Sequence, residues 1–135
     1  MKRCKERRTI TRALVLYQRL GLCECSSFPF LLYKKIEGLC GKNKSLGVDL
    51  FSLHETLLFL NVLGESDILE AIDYVYFKPF QKSISKRDQK NEISYRVIKY
   101  ANKNHMDERT VYRKLQKAKR IFFAIRELNK TKTEQ

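Results

Sequence analysis

The chain has 135 residues, with 28 Lys or Arg against 15 Asp or Glu, and a net charge of +13. Its hydrophobic fraction of 43% and charged fraction of 32% exclude an intrinsically disordered chain, and its length allows one domain with a modest core. So large an excess of positive charge predicts a polyanionic partner, because unpaired Lys and Arg side chains repel one another.

The charge is distributed unevenly along the chain. Residues 1–20 carry 7 basic and 1 acidic residue, net +6, and residues 82–120 carry 13 and 4, net +9. Residues 21–81 carry 5 basic and 8 acidic residues, net −3. The segment 82–120 is therefore the first place to look for a surface that binds a polyanion.

The sequence predicts neither export nor a membrane span. The N-terminus begins with charges like a signal peptide, but Arg12 and Arg19 interrupt its apolar run and no small-residue cleavage site follows. The longest apolar stretch, residues 48–64, is broken by His54 and Glu55 and is shorter than the about 20 residues that a spanning helix needs. We expect a cytoplasmic protein without membrane contact, whose cysteines are reduced.

The first half of the chain is predicted to be helical. Apolar residues at three- and four-residue steps indicate an amphipathic helix over residues 5–20. Residues 26–41 outline a short second helix, and residues 48–63 a third that is apolar on most sides and therefore central. Ser66 or Asp67 is expected to be the N-cap of a fourth. Strand-like alternation is hard to find, so the predicted fold class is all-α.

In the basic half, residues 78–92 are polar and are predicted to form a connecting loop before a helix over about 92–103. This helix has two faces. Its apolar face consists of Ile93, Val97, Tyr100 and Ala101. Its basic face consists of Arg96, Lys99 and Lys103.

A long helix follows a short turn at Asn104 and His105, with Met106 as the apolar residue before it and Asp107 as its N-cap. Its predicted core face consists of Val111, Leu115, Ala118, Phe122 and Ile125. Its opposite, basic face consists of Arg109, Arg113, Lys117 and Arg120. Two helices of this kind, joined by a short turn, are what a helix-turn-helix requires, with the second helix in the major groove of DNA.

The string YANKNHMDERTVYRK, residues 100–114, resembles the helix-turn-helix pattern I-A-x-x-L-G-I-S-x-R-T-V-x-R. Residues 66–128 are similar to the sigma-70 region-4-like domain of phage late transcription regulators of the ArpU and RinA group. This resemblance implies a DNA-binding domain over 66–128, after a helical part over 1–65 for oligomerisation or partner contact and before a polar tail over 129–135. It also implies an activator of phage-type late genes that acts with the host RNA polymerase.

Two residues depart from the pattern. Asn104 stands where Leu is usual, which weakens the packing between the two helices. His105 stands at the usual turn glycine, where a left-handed backbone is expected. Histidine adopts that conformation more readily than most residues, so we expect the turn to form.

The motif assigns roles to particular side chains on the expected partner, double-stranded DNA. Contacts to base edges are predicted for Glu108, Arg109, Tyr112 and Arg113. Contacts to phosphates are predicted for Arg96, Lys99, Lys103, Thr110, Lys117 and Arg120. The competing interpretation is an ordinary solvated helix face, and Tyr112 would then only pack.

The sequence offers no convincing catalytic constellation, so we expect neither an enzyme nor a cofactor. The four thiols of the chain are a weak indication of a zinc site. They belong to Cys4, Cys23, Cys25 and Cys40. The C-x-C spacing is tighter than zinc sites use, and 18 residues separate Cys4 from Cys23. Buried or free thiols are therefore the favoured interpretation.

Two alternatives to a DNA-binding regulator stay open. The first is an RNA-binding antiterminator, in which Tyr95, Tyr100 and Tyr112 would stack on bases. The second is a protein-interaction module with a vestigial helix-turn-helix, in which residues 48–63 form an oligomer or partner face. An ordinary core is the simpler explanation of that apolar segment.

Overall fold

The computed structural model describes residues 2–22, 36, 38 and 43–134, with side chains described for 7–22, 36, 38 and 43–131. This described part is all-helical and contains no strand, which confirms the all-α fold class. Its five helices are α1 (Lys2–Arg19), α2 (Lys44–Val62), α3 (Ser66–Tyr76), α4 (Lys86–Lys103) and α5 (Glu108–Glu134). None of these helices is both long enough and apolar enough to cross a membrane.

The ends of the first helices follow local sequence signals. Gly21 and Gly64 adopt φ angles of 70° and 76°, the left-handed backbone that ends α1 and α2. α2 begins at Lys44, because the side chain of Asn43 accepts a hydrogen bond from the Leu46 N–H at 3.1 Å. Of the predicted second helix over 26–41, Ile36 and Gly38 have helical backbone, and the remainder lies outside the described residues.

Two predicted boundaries are wrong. α4 begins at Lys86, so the prediction of a loop over 78–92 fails for its last seven residues. The Ser85 Oγ accepts a hydrogen bond from the Asp88 N–H at 3.1 Å, and this cap starts the helix early. For α3, the N-cap is Glu65, without a side-chain cap, and not Ser66 or Asp67.

One hydrophobic core joins the described helices. It includes Leu50 and Leu53 from α2, Val75 from α3 and Phe122 from α5, all nearly or completely buried. The core therefore continues across residue 65, where the sequence suggested a division between two parts. Residues 129–134, which were predicted to belong to a polar tail, continue α5, and the Asn129 Nδ2 donates to the Ser52 Oγ at 2.9 Å.

Buried polar contacts tie α1 and α5 to α2. The fully buried carboxylate of Asp49 accepts hydrogen bonds from Arg12 Nη2 at 3.2 Å and from Arg126 Nε at 2.5 Å.

The hydroxyl of Tyr17 lies 2.9 Å from His54 Nδ1. His54 is thus a core side chain, and its buried Nε2 has no hydrogen-bond partner among the described residues. Burial lowers the pKa of His54, against a smaller opposing effect of the Glu55 carboxylate.

The last three helices pack against one another in pairs. Tyr100 of α4 is buried, with its ring centroid 5.4 Å from that of Tyr74 of α3. Val97 and Ala101 of α4 are also buried, as the predicted apolar face requires, whereas Ile93 is half-buried. Because α4 and α5 are both packed on α3, the short turn between them is held in a fixed position.

Candidate nucleic-acid interface

The turn between α4 and α5 has the predicted left-handed residue. His105 adopts a φ angle of 53° at the position where the pattern usually has glycine. The side chain of Asn104 does not pack between the helices: it is exposed, and its Nδ2 donates to the Tyr100 carbonyl at 2.9 Å. The Met106 N–H donates to the Ala101 carbonyl at 2.9 Å. These bonds close the end of α4 and redirect the chain into α5.

α5 divides into a buried and an exposed face, as its spacing predicts. Asp107 precedes its first residue, and the Asp107 carbonyl accepts hydrogen bonds from the N–H groups of Thr110 and Val111 at 3.0 and 3.4 Å. The buried residues are Val111, Leu115, Ala118 and Phe122, and Ile125 is half-buried. The exposed residues with a predicted role are Glu108, Arg109, Tyr112, Arg113, Lys117 and Arg120, and Thr110 is half-buried.

Three exposed arginines on α5 lack an acidic partner. Arg109, Arg113 and Arg120 lie on one side of the helix, and none of them forms an ion pair with another described residue. Glu108 is the acidic residue nearest to them along the helix. The guanidinium groups are therefore available to an anion from solution, and each has the planar fork that matches a phosphate or a guanine edge.

The lysines on the flank of α5 that faces α3 are neutralised. Lys114 Nζ lies 2.5 Å from Asp67 Oδ2, and Lys117 Nζ lies 2.6 Å from Glu65 Oε1. The hydrogen bond from Lys114 is the main cause of a lowered pKa of Asp67. Lys117, which was predicted to contact phosphate, thus forms an ion pair with Glu65. Both ion pairs link α5 to the start of α3.

Arg96 does not lie on the exposed basic face of α4, so the prediction that it contacts phosphate is corrected. Its side chain is buried, with a relative exposure of 9%. Nη1 donates to the carbonyls of Val75 and Lys78 at 3.0 and 2.9 Å, and Nη2 donates to the Pro79 carbonyl at 2.8 Å. The guanidinium therefore holds the end of α3 and the segment after it, where a helix C-terminus favours a cation.

The other two basic residues of that face are exposed. Lys99 Nζ lies 5.8 Å from the ring centroid of Tyr95, and Lys103 Nζ lies 5.7 Å from that of Tyr74. Both lysines have no ion-pair partner among the described residues. Of the three tyrosines considered for stacking on RNA bases, Tyr95 and Tyr112 are exposed and Tyr100 is buried.

The end of α2 carries an exposed apolar surface, within the segment 48–63 for which the sequence left open an oligomer or partner face. It consists of Leu58, Phe59, Val62 and Leu63, and Val62 has a relative exposure of 83%. The signal was present, because apolar residues on every side of one helix exceed what a small core can cover. Such a surface is typical of a contact with another protein.

The weak zinc prediction concerns residues whose side chains are not among those described. They are Cys4, Cys23, Cys25 and Cys40. No family model matches this sequence, and comparison with curated proteins and with solved structures found no match.

Proposed function

We propose that this protein is a sequence-specific DNA-binding transcriptional regulator that reads duplex DNA with the first half of α5. The observation that carries the proposal is the row of unpaired, exposed arginines on the second helix of a short-turn helix pair. A helix presented in this way fits the major groove, whose base edges differ for every base pair. Arg109, Arg113 and Arg120 form no ion pair with another described residue, so their charge is available to the phosphates and base edges of DNA.

The exposed side chains of α4 and α5 are assigned to two kinds of DNA contact, to base edges and to phosphates. Arg109 and Arg113 are suited to guanine O6 and N7, and the Glu108 carboxylate is suited to accept from cytosine N4. Tyr112 lies beside them as the remaining base-edge candidate. Phosphate contacts are assigned to Lys99, Lys103, Thr110 and Arg120, with Lys117 in a weaker role because of its ion pair with Glu65.

The resemblance to late transcription regulators suggests activation of phage-type late genes together with the host RNA polymerase, in the cytoplasm. A regulator of this kind needs a surface for a protein. The exposed apolar residues of α2, Leu58, Phe59, Val62 and Leu63, supply one for the polymerase or for a second copy of the chain.

The RNA-binding alternative keeps one supporting observation, the exposure of Tyr95 and Tyr112. Stacking on bases requires aromatic side chains that are accessible from solution, and Tyr100 is not. DNA is favoured because the unpaired positive groups lie along a helix and not across an aromatic platform.

The test is binding to nucleic acid across a salt series. The full chain is used to select duplexes from a random pool. Fluorescence anisotropy then compares the best duplex with a scrambled duplex and with RNA of the same sequence, from about 50 to 200 mM salt. We expect a preference for the selected duplex that persists at the higher salt. Equal and steeply salt-dependent binding to all three would refute the proposal.

Two variants separate base contacts from phosphate contacts. Arg113→Ala is expected to cost about 1–3 kcal/mol on the selected duplex and to relax the preference at one base pair. Lys103→Ala is expected to weaken binding to all duplexes alike and to reduce the slope of log K against log salt by about 1. If Arg113→Ala behaves like Lys103→Ala, then α5 does not read bases through Arg113.

A further inference from the structure

The first helix lies beside the middle of α5. A small cavity is lined by Ile10 and Leu14 from α1 and by Ala118, Lys119 and Phe122 from α5. Arg7 is exposed and precedes Ile10 by three residues, which places the two side chains on neighbouring positions of the same helix. Arg7 therefore lies near the part of α5 that contains Lys119.

Arg7 lies one helical turn before Ile10, which lines the cavity together with Lys119, so both basic side chains belong to the same junction of α1 and α5. Lys119 is half-buried, and burial together with the positive charge of Arg7 lowers the pKa of its ammonium group. The same arginine acts on the neighbouring Tyr76, whose pKa burial raises to about 12 in spite of the opposing charge of Arg7. No described acidic side chain lies within ion-pair distance of Arg7 or Lys119.

The two flanks of α5 thus differ in charge. Lys117 and Lys119 are two residues apart, and at 3.6 residues per turn they point to nearly opposite sides of the helix. Lys117, with Lys114, is paired with the acidic start of α3. Lys119 instead lies at the junction with α1, where Arg7 is a second cation. Two unbalanced positive charges held in one region cost free energy that a bound anion would recover.

We propose that Arg7 and Lys119 form a second phosphate-binding position, so that one backbone of the bound duplex runs along the junction of α1 and α5 and not along the start of α3. This inference rests on the proposed DNA binding of α5. It assigns a DNA contact to the first helix, which the sequence suggested only for oligomerisation or partner contact. The contact adds affinity and orientation but no sequence preference, because phosphates are the same at every base pair.

The test compares Arg7→Gln, Lys119→Gln and the double variant with the unchanged chain. Anisotropy is measured on the selected and scrambled duplexes over the same salt series. We expect weaker binding to both duplexes, an unchanged ratio between them, and a salt slope reduced by about 0.9 in each single variant and by about 1.8 in the double variant. Without DNA, the thermal midpoint is expected to stay equal or to rise, because repulsion between two cations is removed.

Lys44→Gln is the charge-matched control, since Lys44 is exposed at the start of α2 and its loss changes the net charge by the same amount. If Arg7→Gln and Lys119→Gln bind like this control while Arg113→Ala loses its sequence preference, the second phosphate position is wrong and the proposed function stands. If the unchanged chain binds no duplex, both proposals fall together. If the double variant loses stability as well as binding, then Arg7 and Lys119 are structural groups and the assignment is wrong.

Discussion

Replacing Arg96 by Met keeps the length of the side chain and removes the guanidinium. The guanidinium donates three hydrogen bonds to the carbonyls of Val75, Lys78 and Pro79 at 2.8 to 3.0 Å. Its Nε also donates to the Glu92 carboxylate at 3.0 Å, and its Cζ lies 4.1 Å from the ring centroid of Phe80. The variant therefore removes the link between α4 and the end of α3.

The expected loss can be estimated from these contacts. The bond to the buried Val75 carbonyl is charge-assisted and contributes about 1.5–3 kcal/mol. The bonds to Lys78 and Pro79 are partly exposed, so water replaces some of their energy and each contributes about 0.5–1 kcal/mol. The helical ion pair with Glu92 adds about 0.3–0.5 kcal/mol. We expect Arg96→Met to lower the free energy of unfolding by about 3–5 kcal/mol, since such terms are not fully additive.

Urea unfolding followed by circular dichroism measures this loss, and Lys99→Met is the control on the exposed face of the same helix. That control is expected to stay within about 0.5 kcal/mol of the unchanged chain. Arg96→Lys keeps the charge without the fork and is expected to lose most of the stability as well. The interpretation is refuted if Arg96→Met unfolds like the unchanged chain and loses DNA affinity, since Arg96 would then contact phosphate as the sequence suggested.

Other outcomes follow from the core and the turn. Because burial lowers the pKa of folded His54 below its ordinary 6.5, the unfolded chain takes up the proton first, so the free energy of unfolding should fall as the pH drops below that value. Urea titrations from about pH 8 to 5 check this, and His54→Gln should flatten the dependence. His105→Ala is expected to be about 1 kcal/mol less stable than His105→Gly, and equal stability would contradict a left-handed turn. Asp49→Ala leaves Arg126 unpaired and should cost about 3 kcal/mol in thermal unfolding, whereas an unchanged midpoint would show that the pair contributes nothing.

Local patterns in the sequence determined much of the helical framework. The periodic apolar residues of α5 predict its buried face, because side chains three and four residues apart lie on one side of a helix. The left-handed backbone of His105 was predicted from its place in the helix-turn-helix pattern, because the turn position that usually has glycine requires a positive φ. The early start of α4, which we did not predict, also has a local signal in the sequence, because Ser85 is a good N-cap followed by Asp88 in the first turn.

Only the tertiary structure decided whether each basic side chain is buried, forms an ion pair, or is exposed without one. Spacing places Arg96, Lys117 and Arg113 on particular faces of their helices, but it does not say what lies opposite them. Arg96 meets a carbonyl 21 residues away in the sequence, and Lys117 meets a carboxylate 52 residues away. Arg113 meets no acidic group of the described chain and stays available to an anion. Electrostatic pairing acts over a few ångströms, so it depends on how distant segments pack and not on local periodicity.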